Sequence, residues 1–252
     1  MRQPLIKEIN QDCIDQVIST NPKYRKEWGF LHIPKTGGSS IMRFFESNYE
    51  AIKTMPVPLF HSWTLDLINN YFPSMKLIFA IRDPLERTIS GYQSRLRMGT
   101  PEYYVPWRNK EAIAFCMYRS VPEFLDGLLD DSDYHISATT YLLDSVMAIS
   151  WNYNYYFNSA ADVEKLGHCI GTIAELSSLD KLISSLIDNG IIQLNAEADQ
   201  CQIKQNLLKA HRSKNSSDSY LKHYSSEDIA KMKARLQDEY EIYDALKKYS
   251  MH

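Results

Sequence analysis

The chain has 252 residues, of which 44% are hydrophobic and 23% charged, and its formal net charge is −3. Its composition is that of an ordinary globular protein, and the slight negative charge argues against a general nucleic-acid partner. The length suits one sizeable α/β domain or at most two small ones. We expect a single domain over residues 1–252, in which residues 1–27 form a polar lead-in.

Neither a signal peptide nor a membrane span is predicted. Residues 1–18 mix charged and apolar side chains and lack a continuous apolar core. The apolar run at 77–81 is far shorter than the roughly 20 residues that a span requires. Four scattered cysteines without a Cys-x-x-Cys pair favour free thiols and show no zinc spacing. We expect a soluble, cytoplasmic chain, unless an anchor has been left off a longer protein.

Residues 30–42, FLHIPKTGGSSIM, indicate a short apolar strand, a glycine-containing loop and the start of a helix. The glycine pair at 37 and 38 lets the backbone turn tightly and approach a ligand. The N–H groups of the loop and of the first helical turn suit a phosphate or sulfate group. Lys35 adds a positive charge, and three residues add hydroxyl donors: Thr36, Ser39 and Ser40. An ordinary glycine-rich turn is the alternative to this anion-binding loop.

The order Pro-Lys-Thr-Gly-Gly-Ser-Ser at 34–40 differs from a Walker A loop, in which the lysine follows the last glycine. It resembles the 5′-phosphosulfate loop of sulfotransferases that use 3′-phosphoadenosine-5′-phosphosulfate (PAPS). The longer HIPKTGG at 32–38 is similar to the carbohydrate-type branch, which includes the heparan-sulfate 2-O-sulfotransferases. The resemblance implies PAPS as the sulfuryl donor and a loop that binds it through Lys35, Thr36, Gly37, Gly38, Ser39 and Ser40.

A helix is predicted at 39–49, followed by an extended segment at 51–59 whose two prolines favour an edge or loop position. His61 comes next. A lone histidine is by default a surface or core residue. In the carbohydrate sulfotransferases, however, a histidine between the first helix and the second motif strand acts as the catalytic base. The resemblance therefore implies that His61 and Lys35 are catalytic, and the ordinary pKa of histidine, near 6.5, suits a base at cellular pH.

The second strong element is a buried strand at 76–81 followed by a charged turn and a helix. Asp83 is a good N-cap for that helix, and Glu86 has the position of a capping-box carboxylate. Arg82 and Ser90, eight residues apart, resemble the 3′-phosphate motif of the same sulfotransferases, and the planar guanidinium of Arg82 suits a phosphate. The alternatives are an ion pair of Arg82 with Asp83 or Glu86, and a solvated position for Ser90.

The acceptor side has weaker signals. In the irregular region 97–109, three aromatic residues can stack on a sugar or pack against the core: Tyr103, Tyr104 and Trp107. The run 151–157 holds five aromatics and is either substrate-facing or buried. Helices are predicted at 121–129, 137–145, 159–166, 179–187 and 226–249, and a strand at 168–173.

Lys214 and Ser216 belong to a basic, hydroxyl-rich loop at 212–216. The resemblance implies that this loop closes over the nucleotide, and a solvated linker is the alternative.

These patterns predict a three-layer, P-loop-like α/β fold with a central, mostly parallel sheet flanked by helices. Both motif turns lie at the carboxyl ends of strands, where ligands bind in such sheets.

The implied activity is metal-independent sulfuryl transfer from PAPS to a hydroxyl of a carbohydrate or glycosylated acceptor. A non-sugar small molecule is the competing acceptor. A P-loop-like nucleotide kinase would need a lysine after the glycines and a magnesium-binding aspartate, for which only Asp83 qualifies. A module that has lost its chemistry is a third alternative.

Overall fold

The computed structural model describes residue 19 and residues 21–59, 61–101, 103–198 and 217–250. Within these residues, five strands occur in chain order: β1 (Tyr24–Leu31), β2 (Ile52–Leu59), β3 (Lys76–Ile81), β4 (Ile170–Glu175) and β5 (Gln193–Leu194). The helices are α1 (Gly38–Ser47), α2 (Leu65–Tyr71), α3 (Pro84–Leu96), α4 (Asn109–Met117), α5 (Val121–Leu129), α6 (Asp133–Ser145), α7 (Met147–Ser150), α8 (Tyr153–Phe157), α9 (Ala160–Lys165), α10 (Leu179–Asp188), α11 (Asp218–Leu221), α12 (Ser226–Ala234) and α13 (Gln237–Lys247). Two short 3₁₀ turns, Gly167–Cys169 and Leu176–Ser178, flank β4.

The five strands form one sheet in the order β4-β3-β1-β2-β5. β1 is parallel to both β2 and β3, and β3 is parallel to β4, whereas β5 is antiparallel to β2. Helices cover both faces, so that five consecutive residues of β3 are buried. The predicted α/β fold with a mostly parallel sheet is therefore confirmed. Because β1 and β3 are neighbours, the turns that follow them lie side by side at the carboxyl edge.

The beginning of the sheet differs from the predicted boundaries. β1 begins at Tyr24, so the last four residues of the segment 1–27 belong to the sheet and not to a lead-in. Tyr24 and Arg25 extend the strand because they pair with Met55 and Pro56 of β2. The extended segment 51–59 is β2, and β5 covers only its first residues, Ile52 and Thr54. The prolines of β2 lie beyond that pairing, where β2 is an edge strand.

The aromatic run contributes mainly to the core. Tyr153, Tyr156 and Phe157 are fully buried in the cluster below the sheet, and the rings of Phe157 and Phe79 lie 5.5 Å apart. Trp151 and Tyr155 are only partly buried. The run is therefore split between the core and the surface.

The C-terminal helix predicted at 226–249 is two helices, α12 and α13, that meet near Leu236. Met232 and Leu236 pack into a helical cluster with α3, α5 and α6. Ile242 and Leu246 pack into the cluster below the sheet. The break lets the segment reach both clusters.

Two buried ion pairs join distant parts of the helical layer. Arg87 donates to both carboxylate oxygens of Glu239, at 2.7 and 3.1 Å. Arg95 donates to both carboxylate oxygens of Glu111, each at 2.7 Å. All four residues are buried. In the described part of the chain, no helix combines the length and the hydropathy that crossing a bilayer requires.

Candidate functional site

The loop between β1 and α1 leaves the start of that helix uncapped. Gly37 occupies the N-cap position with φ of 99°, and no side chain accepts a hydrogen bond there. A Cβ at Gly37 would lie 2.6 Å from Leu176 and 2.7 Å from Leu179, so packing as well as φ requires glycine. Lys35 also has a positive φ, 66°. The first N–H groups of α1 are thus available to an anion.

The hydroxyl groups of the loop differ in their availability. Thr36 is buried, and its hydroxyl donates to the Ile33 carbonyl at 3.0 Å. Its hydroxyl proton is therefore used within the loop, and its backbone N–H is the group left for a ligand. Ser39 is exposed and Ser40 is half-buried at the start of α1.

Gly38 makes room for His32. A Cβ at Gly38 would lie 2.1 Å from Cδ2 of the imidazole and 2.6 Å from Nε2. Burial, followed by the nearby charges of His61 and Lys35, lowers the pKa of His32 to about 3. His32 is therefore neutral at physiological pH, and its ring packs against Gly38 of the loop.

His61 lies directly against this loop. Its Nδ1 is 2.6 Å from the His32 carbonyl oxygen, and the two imidazole rings are 4.2 Å apart. A carbonyl only accepts, so Nδ1 carries the proton and Nε2 keeps its lone pair. Burial lowers the pKa of His61; the hydrogen bond to His32 opposes the shift, and the charge of Lys35 adds to it. His61 is thus a neutral imidazole with a defined free nitrogen.

The aromatic surroundings of His61 come from the run at 151–157. The Tyr156 hydroxyl donates to the His61 carbonyl at 2.8 Å. The ring of Trp151 lies 5.7 Å from the His61 ring and stacks on Tyr155. Residues about 90 positions away in the chain therefore fix His61 and cover one side of it.

Lys35 belongs to a group of cations at the carboxyl edge of the sheet. Burial lowers its pKa to about 8, and the charges of Arg82 and Arg97 contribute further. Arg97, an exposed residue just after α3, was not among the predicted site residues. The sequence offered one signal for Arg97, which lies one residue beyond the helix that carries the second motif. Like charges gathered in this way favour a polyanionic ligand.

The side chain of Arg82 has two hydrogen-bond partners in the described part of the chain. Its Nε donates to Glu86 Oε2 at 3.1 Å, which is the ion pair that the sequence offered as an alternative to phosphate binding. Its second terminal nitrogen donates to the hydroxyl of Ser217 at 3.2 Å. The Tyr153 hydroxyl is 2.8 Å from both the N–H and the carbonyl oxygen of Arg82, so it anchors the backbone as well.

Ser217 is buried and was missed by the sequence interpretation, although it directly follows the loop predicted at 212–216. The predicted residues Lys214 and Ser216 lie outside the described residues. Nearby, Gln93 of α3 donates to the Tyr220 hydroxyl at 3.0 Å. Ser90, one turn earlier on α3, is half-buried. The segment that begins at Ser217 thus packs along the helix that carries the second motif.

Asp83 is a helix cap. Its Oδ1 accepts from the N–H groups of Leu85 and Glu86 and from the Tyr240 hydroxyl. Its Oδ2 pairs with Lys233 at 3.2 Å. The carboxylate is fully engaged in these contacts, which does not favour the magnesium-binding role of a kinase. Over the residues that the structure describes, no three His, Cys, Asp or Glu side chains are grouped as metal ligands.

The three aromatics predicted on the acceptor side have different environments. Tyr103 and Tyr104 are 50% and 67% exposed. The Trp107 indole N–H donates to the Arg95 carbonyl at 2.6 Å, and its ring packs 4.9 Å from Phe115. Trp107 therefore stabilises the helical layer, whereas the two tyrosines are surface residues of the 97–109 loop.

A surface pocket of about 310 Å³ has Trp151 in common with the surroundings of His61. Its walls include the start of α4, the end of α6 and the indole of Trp151, which also lies against His61. Among its residues, Trp151 belongs to the run at 151–157, which the sequence left as either substrate-facing or buried.

Comparison with known proteins gives one positive result. A model of the sulfotransferase family matches residues 23–249. No curated protein and no solved structure matches the chain. The matched range includes both motif turns, His61 and the segment from Ser217 onward.

Proposed function

Given that the chain belongs to the sulfotransferase family, whose members are PAPS-dependent enzymes, we propose that it transfers a sulfuryl group from PAPS to a hydroxyl of a carbohydrate or glycosylated acceptor, with His61 as the base. The observation that carries this proposal is the environment of His61. Its Nδ1 is tied to the His32 carbonyl beside the Lys35 loop, so Nε2 is the nitrogen that can accept a proton.

The donor fits the residues after β1. The uncapped start of α1 offers backbone N–H groups to the 5′-phosphosulfate. These groups belong to the glycine-serine loop, with further contacts from Ser39 and Ser40. Lys35 is protonated below pH 8, and an anion relieves the repulsion from Arg82 and Arg97 that helps to lower its pKa.

The 3′-phosphate is assigned to Arg82 and Ser90. Arg82 is largely buried, with 11% of its side chain exposed, so a charge-assisted contact there is less screened than one on the surface. Glu86 and Ser217 hold the guanidinium in one orientation. Lys214 and Ser216 remain candidates for contacts with the nucleotide from the C-terminal side.

PAPS supplies the sulfuryl group and a 5′-phosphate leaving group. His61 Nε2 takes the proton from the acceptor hydroxyl as the hydroxyl oxygen attacks sulfur. Lys35 and the loop N–H groups stabilise the negative charge that develops on the leaving oxygen as its bond to sulfur breaks. His61 is neutral before the step and cationic after it. The charge of Lys35 lowers the pKa of His61 and so favours the neutral form that can accept the proton.

The carbohydrate acceptor is supported by the resemblance of residues 32–38 to the carbohydrate-type branch and by the indole of Trp151 beside His61. Indole faces are apolar surfaces on which sugar rings pack. Tyr103 and Tyr104 are exposed and remain candidates for stacking on the acceptor, while Trp107 is tied to the core. A non-sugar hydroxyl is the competing acceptor.

Isothermal titration tests the donor site. Metal-free protein should bind 3′-phosphoadenosine-5′-phosphate (PAP) well and adenosine-5′-phosphate poorly. Arg82→Ala should erase most of that preference, because a charge-assisted contact contributes about 1.5–3 kcal/mol. Arg119→Ala, which removes an exposed arginine elsewhere, is the matched control. Equal affinity of the unmodified protein for the two nucleotides would refute the assignment.

A further inference from the structure

The pocket beside His61 is built from charged and aromatic side chains that the donor site does not use. Arg108 and Lys110 flank Asn109 at the start of α4, and Asp144 comes from the end of α6. Trp151 completes the wall nearest the catalytic base. Trp151 is thus common to the pocket and to the surroundings of the imidazole.

The charges of this pocket are not neutralised by each other. Among the described residues, neither the guanidinium of Arg108 nor the ammonium of Lys110 has a carboxylate within 4.0 Å, and Asp144 has no cationic partner within that distance. The nearby Arg95 is by contrast buried and paired with Glu111. Two cations and one carboxylate leave a net charge of +1 in a concave site.

We propose that this pocket binds the part of the acceptor that is remote from the reacting hydroxyl, and that it selects acceptors carrying a single anionic group such as a carboxylate. The assignment rests on the proposed function, since it takes His61 as the base. A ring packed on Trp151 has its hydroxyls directed to His61 on one side and its substituent directed to Arg108 and Lys110 on the other.

The same residues determine how many negative charges a ligand of this pocket should carry. A carboxylate matches the fork of the Arg108 guanidinium and the point charge of Lys110. A longer polyanion also meets the carboxylate of Asp144, which repels it. The pocket therefore favours one negative group, and the uncharged hydroxyls of a sugar suit Asn109 and Asp144 as hydrogen-bond partners.

Two glycosides of nearly the same shape test the proposal: 4-carboxyphenyl β-D-glucoside and 4-nitrophenyl β-D-glucoside. They differ by the charge of one planar group. Ligand-observed NMR titration with PAP-saturated protein should give about three- to tenfold tighter binding of the carboxylate probe, the range for one or two partly exposed ion pairs. In the variant R108Q/K110Q the two probes should bind equally, and in Asp144→Asn the carboxylate probe should bind more tightly.

The control variant K53Q/K181Q removes the same number of charges from exposed lysines on β2 and α10. It should keep the full preference. Equal binding of the two probes by the unmodified protein, failure of both to bind, or a preference that survives R108Q/K110Q would overturn the proposal. The same titrations without PAP separate the two proposals. A protein that discriminates between the probes but does not bind PAP retains the pocket and loses the proposed donor site.

Discussion

His32 should make this protein sensitive to mild acid. Burial, with the charges of His61 and Lys35, lowers its pKa to about 3 in the folded state, against 6.5 for the ordinary group. Below pH 6.5 the unfolded chain takes up a proton on His32 and the folded chain does not, so folding stability is full above pH 6.5 and is lost as the pH falls towards 3. Each pH unit in that window removes about 1.4 kcal/mol, and His32 alone therefore costs about 2.5 kcal/mol between pH 7 and pH 4.5.

Urea unfolding at pH 7 and at pH 4.5 measures this loss directly. His32→Gln keeps a polar side chain of similar length and removes the titrating group. The variant is expected to lose about 2.5 kcal/mol less than the unmodified protein over the same pH interval, whatever its stability at pH 7. His168→Gln, at an exposed histidine, controls for the substitution. If the unmodified protein and His32→Gln lose the same stability, His32 is not buried in its neutral form and the close packing of the loop is wrong.

Three further outcomes are expected. PAP affinity should fall above pH 8, by at most tenfold per pH unit, as Lys35 loses its proton. In Lys35→Arg the affinity should not change with pH over this range. A fall in both proteins would assign the effect to another group. His61→Ala should slow single-turnover transfer on the order of 10²–10⁴-fold without weakening PAP binding. In the unmodified protein the rate should rise with pH through a pKa below 6.5. An unchanged rate in His61→Ala would exclude His61 as the base. Glu239→Gln should lower the free energy of urea unfolding by about 3–5 kcal/mol, because Arg87 is left buried and unpaired. Glu241→Gln, at an exposed position, should lower it far less. Equal losses in the two variants would contradict a buried pair.

The two strand–turn–helix units of the candidate donor site were predictable because each is contiguous in the chain. β1, its loop and α1 occupy residues 24–47 without interruption, and β3, its turn and α3 occupy 76–96. Strand pattern, glycine positions and the Asp83 cap are all local signals, and the cap contacts are those that the spacing predicts. The parallel arrangement of β1 and β3 then follows from two strand–turn–helix units in one sheet.

The remaining parts of the candidate site depend on contacts between residues far apart in the chain, and local patterns do not specify these. Arg82 meets Ser217 across 135 positions, and the aromatic wall of His61 comes from Trp151. Part of the signal was nevertheless present. Tyr153, Tyr156 and Phe157 are three and four residues apart, the spacing of one helix face, and that is the buried face. The helical period therefore separates the core aromatics of the run from Trp151, although it does not indicate what Trp151 covers.

The ion pair between Arg82 and Glu86 is compatible with phosphate binding at the same guanidinium. Arginine has five N–H donors in one plane. Glu86 takes the Nε hydrogen and Ser217 takes one hydrogen of a terminal nitrogen, which leaves three donors for a ligand. Those three lie on the terminal nitrogens and suit the oxygens of a terminal phosphate. Glu86 and Ser217 thus hold the guanidinium from two sides. If the guanidinium rotated towards one of these partners, it would lose its hydrogen bond to the other. The ion pair with Glu86 therefore does not argue against the phosphate-binding role that we propose for Arg82.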